Sequence, residues 1–149
     1  MIHNLNLIGI IPLLTLLLSG CSDEGVTVDE AWIAEAPPNA NVLAGYMTLE
    51  NNDAQHRTLA GATDGPFERI EIHRTLHDPQ TGLARMLKEE QITLAPGKRV
   101  VFQPGGYHLM LIHPQVALKA GETVPITLVL FPGPNLKAEF LVRRNQSHL

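Results

Sequence analysis

Cysteine is nearly absent from this chain: of its 149 residues, only Cys21 carries a thiol. One cysteine excludes an intrachain disulfide and any site built from several thiolates. Aromatic residues are scarce, at 5%, which leaves little with which to build a stacking platform for bases. Basic runs are missing as well. The longest is Arg143-Arg144, and the formal charge is −4, so there is no electrostatic footprint for nucleic acid. No Gly-x-Ser-x-Gly elbow, phosphate-binding glycine loop or paired-carboxylate site appears, and nothing marks the chain as an enzyme. A helical hydrophobic period is also lacking. What remains is 44% hydrophobic and 17% charged, the composition of a globular protein with length for one domain.

The first twenty residues stand apart from the rest. Leu5 to Leu18 is apolar except for Asn6, Pro12 and Thr15, and it carries no charge. Fourteen such residues are too few to span a bilayer and suit the apolar core of an export signal. The stretch ends in Leu18-Ser19-Gly20-Cys21, which resembles the lipobox of bacterial lipoproteins, although Met1 to Asn6 holds no Lys or Arg. The resemblance implies a signal peptide at 1–20, acylation of Cys21 and a polar tether at 21–25. Several acyl chains on one residue anchor a protein stably, where one would be marginal. The exported domain would then contain no thiol and would sit on the periplasmic side of the envelope, held by the lipid bilayer. Ser22, where an Asp would favour retention, points by sorting analogy to the outer membrane.

From Val26 onward the pattern is one of short strands. VTVDEAWIA (26–34) and LAGYMTLE (43–50) alternate, and the latter sets Leu43, Gly45, Met47 and Leu49 on one face. RIEIHRT (69–75) alternates strictly, with Ile70 and Ile72 opposed to Glu71 and His73. Asp78 to Gly82 reads as a hairpin loop returning through Met86. Turn residues recur every eight to twelve positions as far as Val124–Phe131 and Leu136–Val142. Eight or nine strands of this kind predict an all-β Greek-key sandwich over 26–142, followed by a mobile tail at 143–149. The core alone must hold it together, and about 129 exported residues suffice for that.

Chemistry concentrates between His73 and Met110. His108 and Met110 fall at i and i+2 of the run HLMLI, so an imidazole and a thioether project from one face of a strand. A soft d¹⁰ ion such as Cu(I) favours that pair. Thioethers bind without competition from protons, whereas histidine must be neutral, so affinity should weaken below about pH 6. A set of two His and two Met leaves net charge on the metal, which suits a carrier better than a store.

The spacing carries a resemblance. His73, then Met86, then twenty-one residues, then His108-Leu109-Met110 is similar to the motif of the periplasmic copper chaperones known as PCu(A)C. AWIAEAPPNANVLAGYMTLENN, IEIH, PGGYHLML and KAGETVPITLVL resemble the family too, from about Val26 to Val142. The resemblance implies a cupredoxin-like β-sandwich or barrel that binds Cu(I) through His73, Met86, His108 and Met110. It also implies delivery toward the copper centre of cytochrome c oxidase, with a Sco-type protein or oxidase subunit II as partner, and a monomeric carrier. Two departures stand out. The position after the first His, often Met in the family, is Arg74, and the His73–Met86 interval of twelve residues is one longer than a common form. The tail offers only His148, so no further Met/His-rich copper site is expected there.

Bland readings compete with this one. Met is usually core filler, yet the exported chain has three Met, and two fall in the motif. His56, His113 and His148 read as surface residues, as does His77, with an outer-sphere partner or an alternative ligand as its other readings. Glu71 and Glu90 read as solvated charges. A blue-copper carrier would need a thiolate. A zinc-binding lipoprotein could use His73, His77 and His108 but has no use for two thioethers. A structural envelope lipoprotein is the remaining rival.

Overall fold

The computed structural model describes residues 25–144, so the expected signal peptide, the acylated Cys21, most of the tether and the last five tail residues lie outside the described residues. Ten strands follow one another: β1 (Val26–Ala34), β2 (Val42–Asn51), β3 (Arg57–Thr63), β4 (Phe67–His77), β5 (Ala84–Glu89), β6 (Ile92–Leu94), β7 (Arg99–Phe102), β8 (Tyr107–Pro114), β9 (Thr123–Phe131) and β10 (Leu136–Arg143). The all-β expectation matches. There is one strand more than the upper expectation, because the three-residue β6 and four-residue β7 each pair separately. Arg143 belongs to β10 and not to a tail.

The strands hydrogen-bond as one sheet in the order β5-β4-β8-β7-β2-β1-β10-β9-β3-β6, and β8 also pairs with β2. A sheet of ten twisted strands curls on itself. Here β3 and β4, joined by a tight turn but near opposite ends of the order, approach each other in space. β1 makes the corner. It runs antiparallel to β2 and, through Trp32–Ala34, parallel to β10. A register shift between Asp29 and Trp32, with Glu30 at φ 51°, bends the strand at that point.

Alternation decides what is inside. Leu43, Met47 and Leu49 of β2, Ile72 of β4, Leu109 and Leu111 of β8, and Ile126, Leu128 and Phe140 from the far half join one buried cluster. Each fully buried Leu, Ile or Phe is worth about 1.5–3 kcal/mol. Gly45 lets β2 and β8 close up, since a Cβ there would stand 3.4 Å from that of Leu109 and 3.7 Å from the Phe140 ring. Every strand except β5 contributes to the cluster. β5 is an edge strand with nearly all of its residues exposed, and it is held by its pairing with β4.

Candidate metal centre

Because Leu109 and Leu111 face the core, His108 and Met110 must face outward. Because Ile72 faces the core, Glu71, His73 and Thr75 must do the same. The β4–β8 register places His73 directly opposite His108 and Glu71 opposite Met110. The β4–β5 register places Thr75 opposite Met86 and His73 opposite Lys88. All four candidate side chains therefore rise from one outer face of β5-β4-β8. The longer His73–Met86 interval is absorbed in the turn, where the amide of Asp78 donates to Leu83 O and that of Gly82 to Asp78 O. A one-residue slip would have sent Met86 to the other face.

His73 is the hub. Its ring centroid lies 5.9 Å from that of His108, and Met110 and Met86 are its diagonal neighbours on either side, a separation that long side chains bridge. Met86 and Met110 are two strands and four residues apart, about 16 Å between Cα atoms on a flat sheet. The fold thus brings His73, His108 and Met110 together and leaves Met86 at the margin, on the exposed edge. Met86 is 63% exposed, while His108 is 8% exposed. The β2 neighbour of Met110 is the small Ala44, and Gly106 ends the turn that leads into β8 two residues before His108.

Each imidazole commits one nitrogen to a hydrogen bond. His108 Nδ1 lies 3.2 Å from Gly106 O, so the tautomer that donates there keeps a lone pair on Nε2. His73 Nε2 lies 2.9 Å from Glu71 Oε2, so the donating tautomer keeps its lone pair on Nδ1. That Nδ1 is buried and has no hydrogen-bond partner. Buried polar atoms are rarely left so, and an unoccupied lone pair beside a second imidazole and a thioether is the donor chemistry of a soft metal ion.

Glu71 corrects the expectation of a solvated charge. It is half-buried, accepts from His73, and also receives Arg69 Nε at 3.2 Å and Lys88 Nζ at 3.5 Å. The hydrogen bond from His73, with help from the two cations, holds its carboxyl below the usual carboxylate range. An acidic residue two before a strand histidine on the same face was the available signal. Arg74 lies on the opposite face, its guanidinium 5.1 Å over the Tyr107 ring, so a side chain at that position points away from this centre. His77 is exposed on the His73 face near the Gly105 turn. His113 pairs with Glu68 at 2.6 Å on the surface. Among the described residues no three His, Cys, Asp or Glu side chains form a metal-holding group.

Comparison with known proteins gives the family and the fold. A family model for LpqE-like proteins, described as candidate lipoproteins, matches residues 26–142. Protein RP573 of Rickettsia prowazekii (strain Madrid E) is 36% identical over 85 residues, covering 56% of this chain and 46% of that protein. Lxx21020 of Leifsonia xyli subsp. xyli (strain CTCB07), a candidate lipoprotein by name, is 26% identical over 110 residues, covering 73% and 64%. The chain thus spans about half to two-thirds of the length of these relatives. Among solved structures, the copper-bound PCuAC domain from PmoF2 superposes with TM-score 0.67 at 20% identity, covering 80% of this chain and 92% of that one. The solution structure of CuI-DR1885 from Deinococcus radiodurans superposes with TM-score 0.62 at 30% identity, covering 86% and 83%. The cupredoxin-like β fold implied by the sequence resemblance is therefore the fold observed. The chain belongs to the LpqE-like family and shares the fold of the PCuAC domains.

Proposed function

We propose that this protein is an extracytoplasmic copper chaperone that holds one Cu(I) ion on the β5-β4-β8 face and passes it to another envelope protein. His73 Nδ1, His108 Nε2 and the Met110 thioether form the cradle, and Met86 reaches it when the edge strand β5 curls in over the ion. The supporting observation is the buried, unpartnered Nδ1 of His73, on a ring 5.9 Å from that of His108 and with Met110 at the diagonal position of the facing strand. Copper in the solved relatives PmoF2 and CuI-DR1885 supports the choice of metal.

Transfer proceeds by ligand exchange. Met86 stands on an edge strand that adds nothing to the core, so it can leave the ion at little cost to the fold. An incoming donor takes its place before the deeper His108 and Met110 release. Neutral donors leave the ion its positive charge, which keeps retention moderate. No bond in a substrate is made or broken, so the role is carriage and not catalysis. Acylation of Cys21 would tether the domain to the periplasmic side of the envelope. The recipient suggested by the family resemblance is the assembly route of the cytochrome c oxidase copper centre.

The test is an anaerobic Cu(I) titration against a competing chelator, with Cys21→Ser removing the one thiol. One equivalent should bind, and Met110→Ile should weaken it sharply. Equal binding of zinc with no effect of that substitution would instead favour a zinc-binding or structural lipoprotein.

A further inference from the structure

Glu71 hydrogen-bonds one proposed donor, His73, and the fold arranges three strands around it. It lies opposite Met110 across the β4–β8 pair, next to His73 on the same face of β4, with Lys88 of β5 reaching one oxygen and His73 the other. Arg69 shares the oxygen that faces Lys88. The second oxygen is thereby left for the ring, and Glu71 Oε2 is 2.9 Å from His73 Nε2.

An imidazole with one proton has two tautomers, and the surroundings distinguish them here. With the proton on Nε2, the ring donates to Glu71 and keeps a bare lone pair on Nδ1. With the proton on Nδ1, an N–H is buried without an acceptor, and the Nε2 lone pair faces a carboxylate oxygen. The second arrangement is disfavoured twice.

We infer that Glu71 is the positioning residue of the metal centre, fixing His73 in the Nε2–H tautomer so that Nδ1 is the donor presented to the ion. This rests on the proposed reading of the site as a copper centre and adds to it the nitrogen used and the residue that selects it. His108 needs no such carboxylate, because the Gly106 carbonyl, 3.2 Å from its Nδ1, selects the complementary tautomer from the main chain. Opposed strands thus present different nitrogens, Nδ1 from β4 and Nε2 from β8. A carboxylate in this role also orients the ring and raises its basicity as a ligand. Arg69 and Lys88 hold Glu71 in turn, so the carboxylate cannot swing away to become a ligand itself without giving up two cations.

Two readouts test this in the Cys21→Ser background. Long-range ¹H–¹⁵N correlation spectra at neutral pH report the tautomer of each histidine in the metal-free protein. His73 should show a protonated Nε2 and a bare Nδ1. Glu71→Ala should mix the two forms, and Glu71→Gln, whose amide oxygen still accepts, should restore the original one. Cu(I) affinity should fall about tenfold in Glu71→Ala and stay within about threefold of the parent in Glu71→Gln, following the range for lost supporting hydrogen bonds. A protonated Nδ1 in the parent protein would overturn the inference. So would an unchanged tautomer in Glu71→Ala, or an equal loss of affinity in both variants. If the parent binds no copper at all, the proposed function fails, whereas the tautomer spectra still decide what Glu71 does.

Discussion

Met86→Ile separates a ligand from a structural residue more cleanly than any other substitution in the site. Met86 is 63% exposed on an edge strand whose side chains do not enter the core. Isoleucine has higher strand propensity than most residues, and surface changes of this kind stay within about 0.5 kcal/mol. The metal-free protein should therefore melt within about 2 °C of the parent. Binding should behave differently. Losing one of four donors should weaken Cu(I) by at least the 10- to 100-fold that follows loss of a mere supporting residue. With free Cu(I), buffered by chelator, at one hundred times the parent Kd, linkage gives about 2.7 kcal/mol of added stability. For a domain of this size that is roughly a 10 °C rise in Tm. A variant with 100-fold weaker binding gains only about 0.4 kcal/mol under the same conditions, about 2 °C. Anaerobic thermal unfolding at buffered copper, with and without metal, measures both quantities. A variant that keeps the full copper-induced rise would refute the assignment of Met86. A metal-free variant that melts far below the parent would refute the claim that β5 lies outside the core.

Other perturbations test the scaffold that presents the site. Gly133→Ala should cost about 1–3 kcal/mol, seen as a lower Tm in the metal-free protein, because φ there is 104° and a Cβ would stand 2.5 Å from Nη2 of the buried, Asp53-paired Arg57. Leu109→Ala removes a fully buried side chain from behind the ligand strand and should destabilise by about 2–5 kcal/mol in chemical denaturation. Asp78 accepts from the amides of Gln80 and Thr81, which holds its carboxyl below the ordinary value of 3.8. Its contribution to the β4–β5 turn is therefore complete above that value and fades as pH falls through the lowered folded one. Protection factors of the hairpin amides should fall selectively over that acid range, and Asp78→Ala should show the lower protection already at neutral pH.

Alternation made both faces of the site strands readable from sequence. IEIH and HLML each turn aliphatic residues to the core and His73, His108 and Met110 to the opposite face, and the structure keeps that division, with His108 itself buried there. The strand boundaries were readable for the same reason, because turn residues interrupt the pattern. Cross-strand register was not. His73 meets His108 through a pairing between β4 and β8, which depends on strand order and not on any local signal. The same gap hid Glu71. Its neighbours Lys88 and Met110 come from two other strands, so in sequence it looked like one more solvated charge. Met86 was legible as a residue type but not in position, because the length of the turn fixes its face and the strand order leaves it on the edge. The corner in β1 was equally silent, since VTVDEAWIA reads as a continuous strand although Glu30 breaks its register.

The central claim is that thioethers and imidazoles together hold a reduced copper ion on the face shared by β4, β5 and β8. X-ray absorption at the copper edge of the anaerobically loaded Cys21→Ser protein measures that directly. The account requires Cu(I) with two sulfur and two nitrogen neighbours, falling to one sulfur in Met86→Ile and likewise in Met110→Ile. A coordination shell of nitrogen and oxygen alone, unchanged in either variant, would contradict it.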